Sequence, residues 1–178
     1  MEGKEQEITA MILLTTSRDP SQRTRQFINE LIKCIPGSAK LNRGKTPLRV
    51  IIRESPALIQ VVERNGNPGE MRLYRNGRLE LRMIIQGIKL LRDMHSINRR
   101  RAATLSAVGR GWAAEVISQA LGIQLYPTSD PGELRGSSDA IALIAEVGGS
   151  WRLEFLDGVD LGPCGPSIIM SNVELVIK

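Results

Sequence analysis

Residues 15–25, TTSRDPSQRTR, join the end of an apolar run to the start of an amphipathic helix. Asp19 is expected to cap that helix, Pro20 fits its first position, and Gln22 stands three residues after the cap, as in a capping box. The first N–H groups of a helix lack partners within it and carry partial positive charge, so they attract anions. The same stretch carries three arginines: Arg18, Arg23 and Arg25. The junction therefore predicts a site for a polyanion, and a nucleic-acid backbone is the best candidate.

The junction belongs to an alternation of strands and helices. The apolar run at 8–16 predicts a buried strand, and apolar residues at helical spacing predict a helix over 20–35 that ends before Pro36-Gly37. The remaining elements of the first half are predicted as a strand at 39–42, a helix from Thr46-Pro47 to about 54, strands at 57–63, 71–74 and 78–91, a turn at 65–69, and a hairpin turn at Asn76-Gly77.

Two more basic junctions follow later strands, at 41–47 (LNRGKTP) and at 63–68 (ERNGNP). Strand–helix–strand order predicts parallel strands, whose carboxyl ends lie at one edge of the sheet, where open α/β sheets bind ligands. We therefore expect cationic side chains that are distant in sequence to converge at this edge: Arg18, Arg23, Arg43, Lys45 and Arg64. Arginines scattered near capped helices are the structural alternative.

The second part of the chain repeats the pattern of the first. The stretch 57–77 is echoed at 140–158, and a helix predicted at 112–121 takes the place of 20–35. The sequence thus predicts an α/β fold with an internal duplication, in which two similar halves, about 8–95 and about 100–178, each contain a mixed sheet and helices. The alternative is that two unrelated α/β stretches share a coarse pattern.

Charge separates the two halves more sharply than the net value of +5 suggests. Residues 1–101 carry 20 basic and 10 acidic side chains, whereas residues 102–178 carry 4 and 9, so the net charges are +10 and −5. Arginines outnumber lysines 18 to 6, which favours bidentate recognition of phosphate. The first half is therefore expected to bind nucleic acid, and the six aromatic residues leave little for base stacking.

The sequence offers little for catalysis, metals or cofactors. Gly44-Lys45-Thr46 resembles the end of a phosphate-binding loop, but Ala39 stands where that motif needs glycine. His95 is the only histidine, so a histidine-based triad or metal site is not expected. Cys34 and Cys164 lie far apart and are interpreted as reduced thiols of a cytoplasmic protein. No apolar stretch has the length of a membrane span, and the polar N-terminus is unlike a signal peptide.

The three junctions together resemble the Brix-domain family of ribosome-biogenesis proteins. The motifs TTSRDPSQR at 15–23, NRG at 42–44 and ERNGNP at 63–68 follow the order and spacing of that family, and the match is specific over residues 8–95 and loose over 100–178. The chain is most similar to the small archaeal form, akin to the Brix protein of the small-subunit processome. It lacks the charged extensions of eukaryotic members, so residues 1–178 look like a single Brix domain.

The resemblance implies two halves that are each similar to the anticodon-binding domain of class IIa aminoacyl-tRNA synthetases. It also implies a non-enzymatic factor that binds pre-ribosomal RNA, often with a ribosomal or assembly protein. By motif, the residues expected to contact RNA or shape the site are Arg18, Ser21, Gln22, Arg23, Asn42, Arg43 and Arg64, and charge and position add Arg25 and Lys45. The alternatives are a tRNA- or anticodon-binding module, a nucleotide-dependent enzyme and a protein-interaction scaffold, and the acidic half is expected to face a basic protein.

Overall fold

The structure, a computed structural model, describes residues 12–97 and 100–176. Within these residues ten strands form one mixed sheet in the order β2-β1-β3-β4-β5-β10-β9-β8-β6-β7. The strands are β1 (Ile12–Thr16), β2 (Ser38–Lys40), β3 (Ala57–Arg64), β4 (Asn67–Arg75), β5 (Arg78–Lys89), β6 (Leu105–Gly109), β7 (Leu125–Tyr126), β8 (Ala140–Val147), β9 (Ser150–Asp157) and β10 (Pro163–Leu175). The helices are α1 (Gln22–Cys34), α2 (Leu48–Glu54) and α3 (Trp112–Leu121), with 3-10 turns at Leu91–Met94 and Pro131–Leu134.

The two halves of the chain have the same order of strands and the same pairing directions. In the first half β1 pairs in parallel with β2 and β3, and antiparallel β4 and β5 follow. In the second half β6 pairs in parallel with β7 and β8, and antiparallel β9 and β10 follow. The halves join through antiparallel β5 and β10, which pair from Lys89↔Ser167 to Leu81↔Leu175.

The main core lies between one face of the sheet and the long helices. Phe27 and Leu31 of α1 and Ala113 and Ile117 of α3 belong to a single buried cluster, so both helices cover the same face, called here the helix face. In α1 the apolar residues recur at a spacing of three to four, which gives the helix one buried side. Burial of each large apolar side chain contributes about 1.5–3 kcal/mol.

The opposite face of the sheet, called here the outer face, is covered unevenly. In β8, Ala140 and Ala142 belong to the main core, whereas Ile141 between them packs with Val108 and Leu134 in a separate buried cluster. Because side chains alternate across a strand, this second cluster lies on the outer face, under the 3-10 turn that ends at Leu134.

Most predicted elements are confirmed, and the differences lie at their ends. Residues 8–11 of the first predicted strand lie outside the described residues, and β1 accounts for the rest. Helix α3 has the predicted bounds, and Asn76-Gly77 forms the predicted tight turn with φ values of 50° and 81°. The turn predicted at 65–69 was too long, because β4 begins at Asn67 and pairs with Arg64. The strand expected at 39–42 is Ser38–Lys40, and the strand expected to reach 91 ends at Lys89. Helix α2 begins after Pro47, which takes the cap position predicted for Thr46.

No helix in the described ranges is both long and apolar enough to cross a membrane.

Candidate nucleic-acid interface

The three basic junctions lie at one edge of the sheet, as the strand order predicts. β1 is parallel to both of its neighbours, with Leu14 opposite Lys40 of β2 and Thr16 opposite Val61 of β3. The carboxyl ends of β1, β2 and β3 therefore point the same way, and the junctions that follow them share an edge. We call this edge the junction edge.

A cleft of about 590 Å³ opens at the junction edge between the segments that follow β1 and β2. Five of the predicted site residues line it: Arg18, Arg25, Asn42, Arg43 and Lys45. Lys40 adds a fifth cation, against the single carboxylate of Asp19 among the lining residues. We call this the basic cleft. Its excess of positive charge, from residues up to 27 positions apart, suits a polyanionic ligand.

Hydrogen bonds hold the two walls of the basic cleft together. The Leu41 N–H donates to the Leu14 carbonyl at 2.8 Å, and the Thr15 hydroxyl donates to the Leu41 carbonyl at 3.0 Å. The chain then turns at Gly44, whose φ of 54° favours glycine. Arg43, just before this turn, is half-buried, and its Nε atom has no hydrogen-bond partner among the described residues. Beside the cleft, Arg43 thus has one buried donor without a partner in the described part of the chain.

The cap of α1 is Ser21, so the prediction of Asp19 was wrong. The residue that caps a helix needs an extended backbone and a side-chain acceptor for the third helical N–H. Ser21 meets both requirements, with φ −60° and ψ 160° and a hydroxyl that accepts from the Thr24 N–H at 3.1 Å. Asp19 instead has a left-handed φ of 50°. Gln22 is consequently the first helical residue, exposed at the surface, and not the capping-box partner.

Ser21 also joins α1 to the turn between β3 and β4. Its N–H donates to the Glu63 carboxylate at 2.6 Å, and its hydroxyl donates to the Gly66 carbonyl at 2.7 Å. Burial raises the pKa of Glu63, but hydrogen bonds from Thr24 and Ser21 outweigh it, so the pKa lies below its usual range. A protein carboxylate therefore already occupies part of the anion site expected at the start of α1.

The two remaining predicted cations lie beside a second cleft, of about 360 Å³, together with residues 85–88 of β5. Arg23 forms an ion pair with Asp93 at 3.2 Å and donates to the Ile88 carbonyl at 3.2 Å, so its guanidinium is engaged within the protein. Arg64 is more open, with 58% of its side chain exposed, and its Nη2 atom lies 3.4 Å from Glu70. The structure therefore gathers Arg18 and Arg43 in one cleft and places Arg64 at the same edge in another.

Sequence reasoning missed a cluster of three arginines around Glu70. Arg72 and Arg82 stand opposite each other on β4 and β5, and both contact the Glu70 carboxylate, as Arg64 does. Glu70 is 1% exposed; burial raises its pKa, but hydrogen bonds and charge from Arg72 and Arg82 outweigh burial and lower the pKa to about 2. The alternation in β4 and β5 was a signal that Arg72 and Arg82 share a face.

The other side chains considered for chemistry have structural surroundings. Cys34 and Cys164 are free and buried, and the Cys34 thiol donates to the Cys164 carbonyl at 3.4 Å. A side-chain hydrogen bond with Cys164 and then burial raise the pKa of Cys34, so the thiol is protonated. His95 caps the 3-10 turn at Leu91–Met94 in a left-handed conformation. Within residues 12–97 and 100–176, no group of three or more His, Cys, Asp or Glu side chains could hold a metal ion.

The fold and the site define the class of the protein: an α/β protein with a cationic cleft at the carboxyl ends of parallel strands. A probable Brix domain-containing ribosomal biogenesis protein of Pyrobaculum aerophilum is 30% identical over 174 residues, which cover 91% of this chain and 94% of that protein. The crystal structure of a probable ribosomal biogenesis protein from Aeropyrum pernix matches with a TM-score of 0.71 at 27% identity, over 90% of this chain and 94% of that one.

The chain belongs to the Brix-domain family of ribosomal biogenesis proteins. A shorter similarity extends to a eukaryote: the bovine U3 small nucleolar ribonucleoprotein protein IMP4 is 37% identical over 62 residues, which cover 32% of this chain and 21% of that protein. No family model matches the chain.

Proposed function

We propose that the protein is a non-enzymatic ribosome-assembly factor that binds ribosomal RNA, or its precursor, through the basic cleft. The observation that carries the proposal is the convergence of Arg18, Arg25 and Arg43 with two lysines around one opening. The names of its relatives, a ribosomal biogenesis protein and a protein of a small nucleolar ribonucleoprotein, support the RNA class of ligand.

The chemistry of the cleft favours the phosphate backbone over the bases. Guanidinium groups bind phosphate with two parallel hydrogen bonds, and Asn42 adds an amide that can contact a phosphate or a ribose. The residues that the structure describes around the cleft include no aromatic side chain on which a base could stack. RNA shape and phosphate spacing would therefore govern binding, with Arg18, Arg25, Asn42, Arg43 and Lys45 as direct contacts.

The remaining predicted residues take supporting places in this proposal. Ser21 would shape the site by fixing the start of α1 against the turn at Gly66, and Gln22 lies exposed beside it. Arg23, held by Asp93 and Ile88, would act mainly through structure, and Arg64 would contact RNA at the border of the second cleft.

A salt series with ribosomal RNA fragments tests the proposal. Each phosphate contact adds roughly −0.7 to the log–log salt slope for single strands and roughly −0.9 for duplexes. Arg18→Ala and Arg43→Ala should each weaken binding and flatten the slope by about one contact. Arg110→Ala is the matched control, because Arg110 follows β6 as Arg18 follows β1 and is also exposed. Equal affinity and slope for all three variants and the wild type would reject the cleft.

Two alternative functions are separable by simple competition. A tRNA- or anticodon-binding module would release ribosomal RNA when excess tRNA is added, whereas an assembly factor would retain it. A nucleotide-dependent enzyme would bind ATP or GTP in a calorimetric titration. The loop around Gly44 provides only one of the glycines that such a site needs, so we expect no binding heat.

We also propose that the second half meets a basic ribosomal or assembly protein. At the carboxyl ends of β6 and β8, where the first half has its cationic edge, Trp112 and Val147 are 49% and 48% exposed. Glu115 and Glu146 are exposed nearby, and residues 102–178 carry a net charge of −5. Titration with purified basic ribosomal proteins should change Trp112 fluorescence, and a scaffold that binds acidic proteins would show the opposite preference.

A further part of the proposal concerns how the chain is divided into two halves. We infer that residues 1–178 form a single Brix domain whose basic half (about 8–95) and acidic half (about 100–178) are copies of one α/β unit of the anticodon-binding type. The matching strand orders, β2-β1-β3-β4-β5 and β7-β6-β8-β9-β10, support this inference. A strand-for-strand superposition of the halves tests it, and a failure of α1 and α3 to coincide would argue against it. A cytoplasmic location belongs to the same proposal.

A further inference from the structure

A cluster of three arginines lies on the sheet beside the junction edge, outside the basic cleft. Arg72 donates from Nε to Oε1 of Glu70 at 2.7 Å and from Nη2 to Oε2 at 3.3 Å. Arg82 donates from Nε to Oε1, and Arg64 from Nη2 to Oε2 at 3.4 Å. One carboxylate, itself almost inaccessible to water, thus fixes three guanidinium groups in a single array.

The array is accessible although its centre is buried. The side chains of Arg64, Arg72 and Arg82 are 58%, 33% and 36% exposed, against 1% for Glu70. A guanidinium has five N–H donors, and the contacts to Glu70 engage one of Arg64, two of Arg72 and one of Arg82. Glu174 lies 3.9 Å from Arg82, so the group keeps a net positive charge of about one and several donors for an incoming anion.

The sheet places this array on the outer face. Met71 and Leu73 of β4 and Met83 of β5 pack in the core on the helix face, so the side chains that alternate with them, Arg72 and Arg82, point the other way. Arg64, at the last position of β3, reaches the array from the junction edge. The array therefore continues the cationic surface of that edge onto the outer face.

The sequence at the start of β4 makes room for Arg64. A Cβ atom at Gly69 would lie 2.5 Å from Cγ and 2.8 Å from Cδ of Arg64, which is closer than such atoms approach in proteins. Only a residue without a side chain lets the Arg64 stem lie across the strand and reach Glu70. Gly69 and Glu70 are thus adjacent residues that together determine where this guanidinium lies.

We infer that bound RNA leaves the basic cleft over Arg64 and crosses β4 and β5 on the outer face, where Arg72 and Arg82 bind its phosphodiester backbone. This inference rests on the proposed function, which supplies the RNA. A preorganised arginine array loses little side-chain entropy on binding a phosphate and matches its oxygens geometrically. Continuity with the cleft favours RNA over the other class of ligand that such an array could take, an acidic protein segment.

The test compares charge removal on the two faces of the sheet, at β4 and β5. Arg72→Gln and Arg82→Gln should each weaken binding of a labelled single-stranded oligoribonucleotide about fivefold at about 0.1 M salt and flatten the salt slope by roughly 0.7. Arg75→Gln is the matched control: Arg75 also lies on β4, but its guanidinium donates to Glu80 and to the Ala120 carbonyl of α3, on the helix face. Its binding curve and slope should equal those of the wild type.

A second measurement needs no variant and so does not depend on folding of the substituted proteins. Phenylglyoxal modifies accessible guanidinium groups, and mass spectrometry of the wild-type protein reports each site. The oligoribonucleotide should protect Arg72 and Arg82 as well as Arg18, and should leave Arg135 of the second half, which is exposed, reactive.

The outcomes separate this inference from the function on which it rests. Suppose that Arg18→Ala and Arg43→Ala weaken binding, that Arg72→Gln and Arg82→Gln bind as Arg75→Gln does, and that RNA does not protect Arg72 and Arg82 of the wild type. The outer-face path is then wrong, and the cleft stands. If none of these variants changes binding, both proposals fail. If polyglutamate protects the array and RNA does not, the occupant is an acidic protein segment and the inference is overturned.

Discussion

Replacement of Glu70 by glutamine is expected to destabilise the protein in a way that depends on pH. The substitution keeps the shape of the side chain but removes the charge that holds three arginines. The folded-state pKa of Glu70 is about 2, against an ordinary value of 4.5. The carboxylate therefore contributes stability that is fully present above the ordinary pKa and is lost as the pH falls toward the folded pKa. A depression of this size corresponds to about 3 kcal/mol at neutral pH.

The assay is urea unfolding of the wild type and of Glu70→Gln at a series of pH values, followed by tryptophan fluorescence. The difference in unfolding free energy should be about 3 kcal/mol at pH 7 and should fall to roughly half near pH 3. Near pH 2, where about half of the wild-type carboxyl is protonated, it should be below about 0.5 kcal/mol. Glu174→Gln is the control: Glu174 faces the same Arg82 at 3.9 Å but is 53% exposed, so its loss should cost less than about 1 kcal/mol. A difference for Glu70→Gln that stays constant from pH 7 to pH 2 would refute the ion-pair account.

Two further substitutions test the local structure around the junction edge and the hairpin. Ser21→Ala removes the acceptor for the Thr24 N–H and the donor to the Gly66 carbonyl. We therefore expect the free energy of unfolding to fall by about 2 kcal/mol and the melting midpoint to fall by roughly 5 °C in a thermal scan. An unchanged midpoint would contradict the assigned cap. Gly77→Ala should lower the free energy of unfolding by about 1 kcal/mol, because Gly77 has a φ of 81°. Gly87→Ala is the control and should leave stability nearly unchanged, because Gly87 has open space around it and no left-handed φ. Equal urea midpoints for the two variants would argue against backbone strain at Gly77.

The layout of the sheet could be predicted where it depends on local order along the chain. Strand–helix–strand succession requires parallel neighbours, so the common edge of the first three strands followed from the sequence and is confirmed. The convergence of Arg18 and Arg43 follows from the same rule. The pairing of β5 with β10, which joins the halves, depends on strands about 80 residues apart and had no local signal.

The contacts of individual arginines could not be predicted in the same way. Nothing near Arg23 in sequence indicates that Asp93 will pair with it, because that contact exists only after β5 returns to α1. The cap of α1 could have been either of two residues, because Asp19 and Ser21 both have side chains suited to capping. Asp19 takes a left-handed conformation, and Ser21 forms hydrogen bonds with Glu63 and Gly66, so Ser21 is the cap. Tertiary partners therefore determined which predicted site residues stay available to a ligand.

Ultraviolet crosslinking of the protein to ribosomal RNA, with the crosslinked peptides identified by mass spectrometry, tests the central proposal most directly. Crosslinks should map to residues 16–20, to Arg25 and to residues 40–45, which line the basic cleft. Crosslinks confined to residues 100–178, with none at the junction edge, would contradict it.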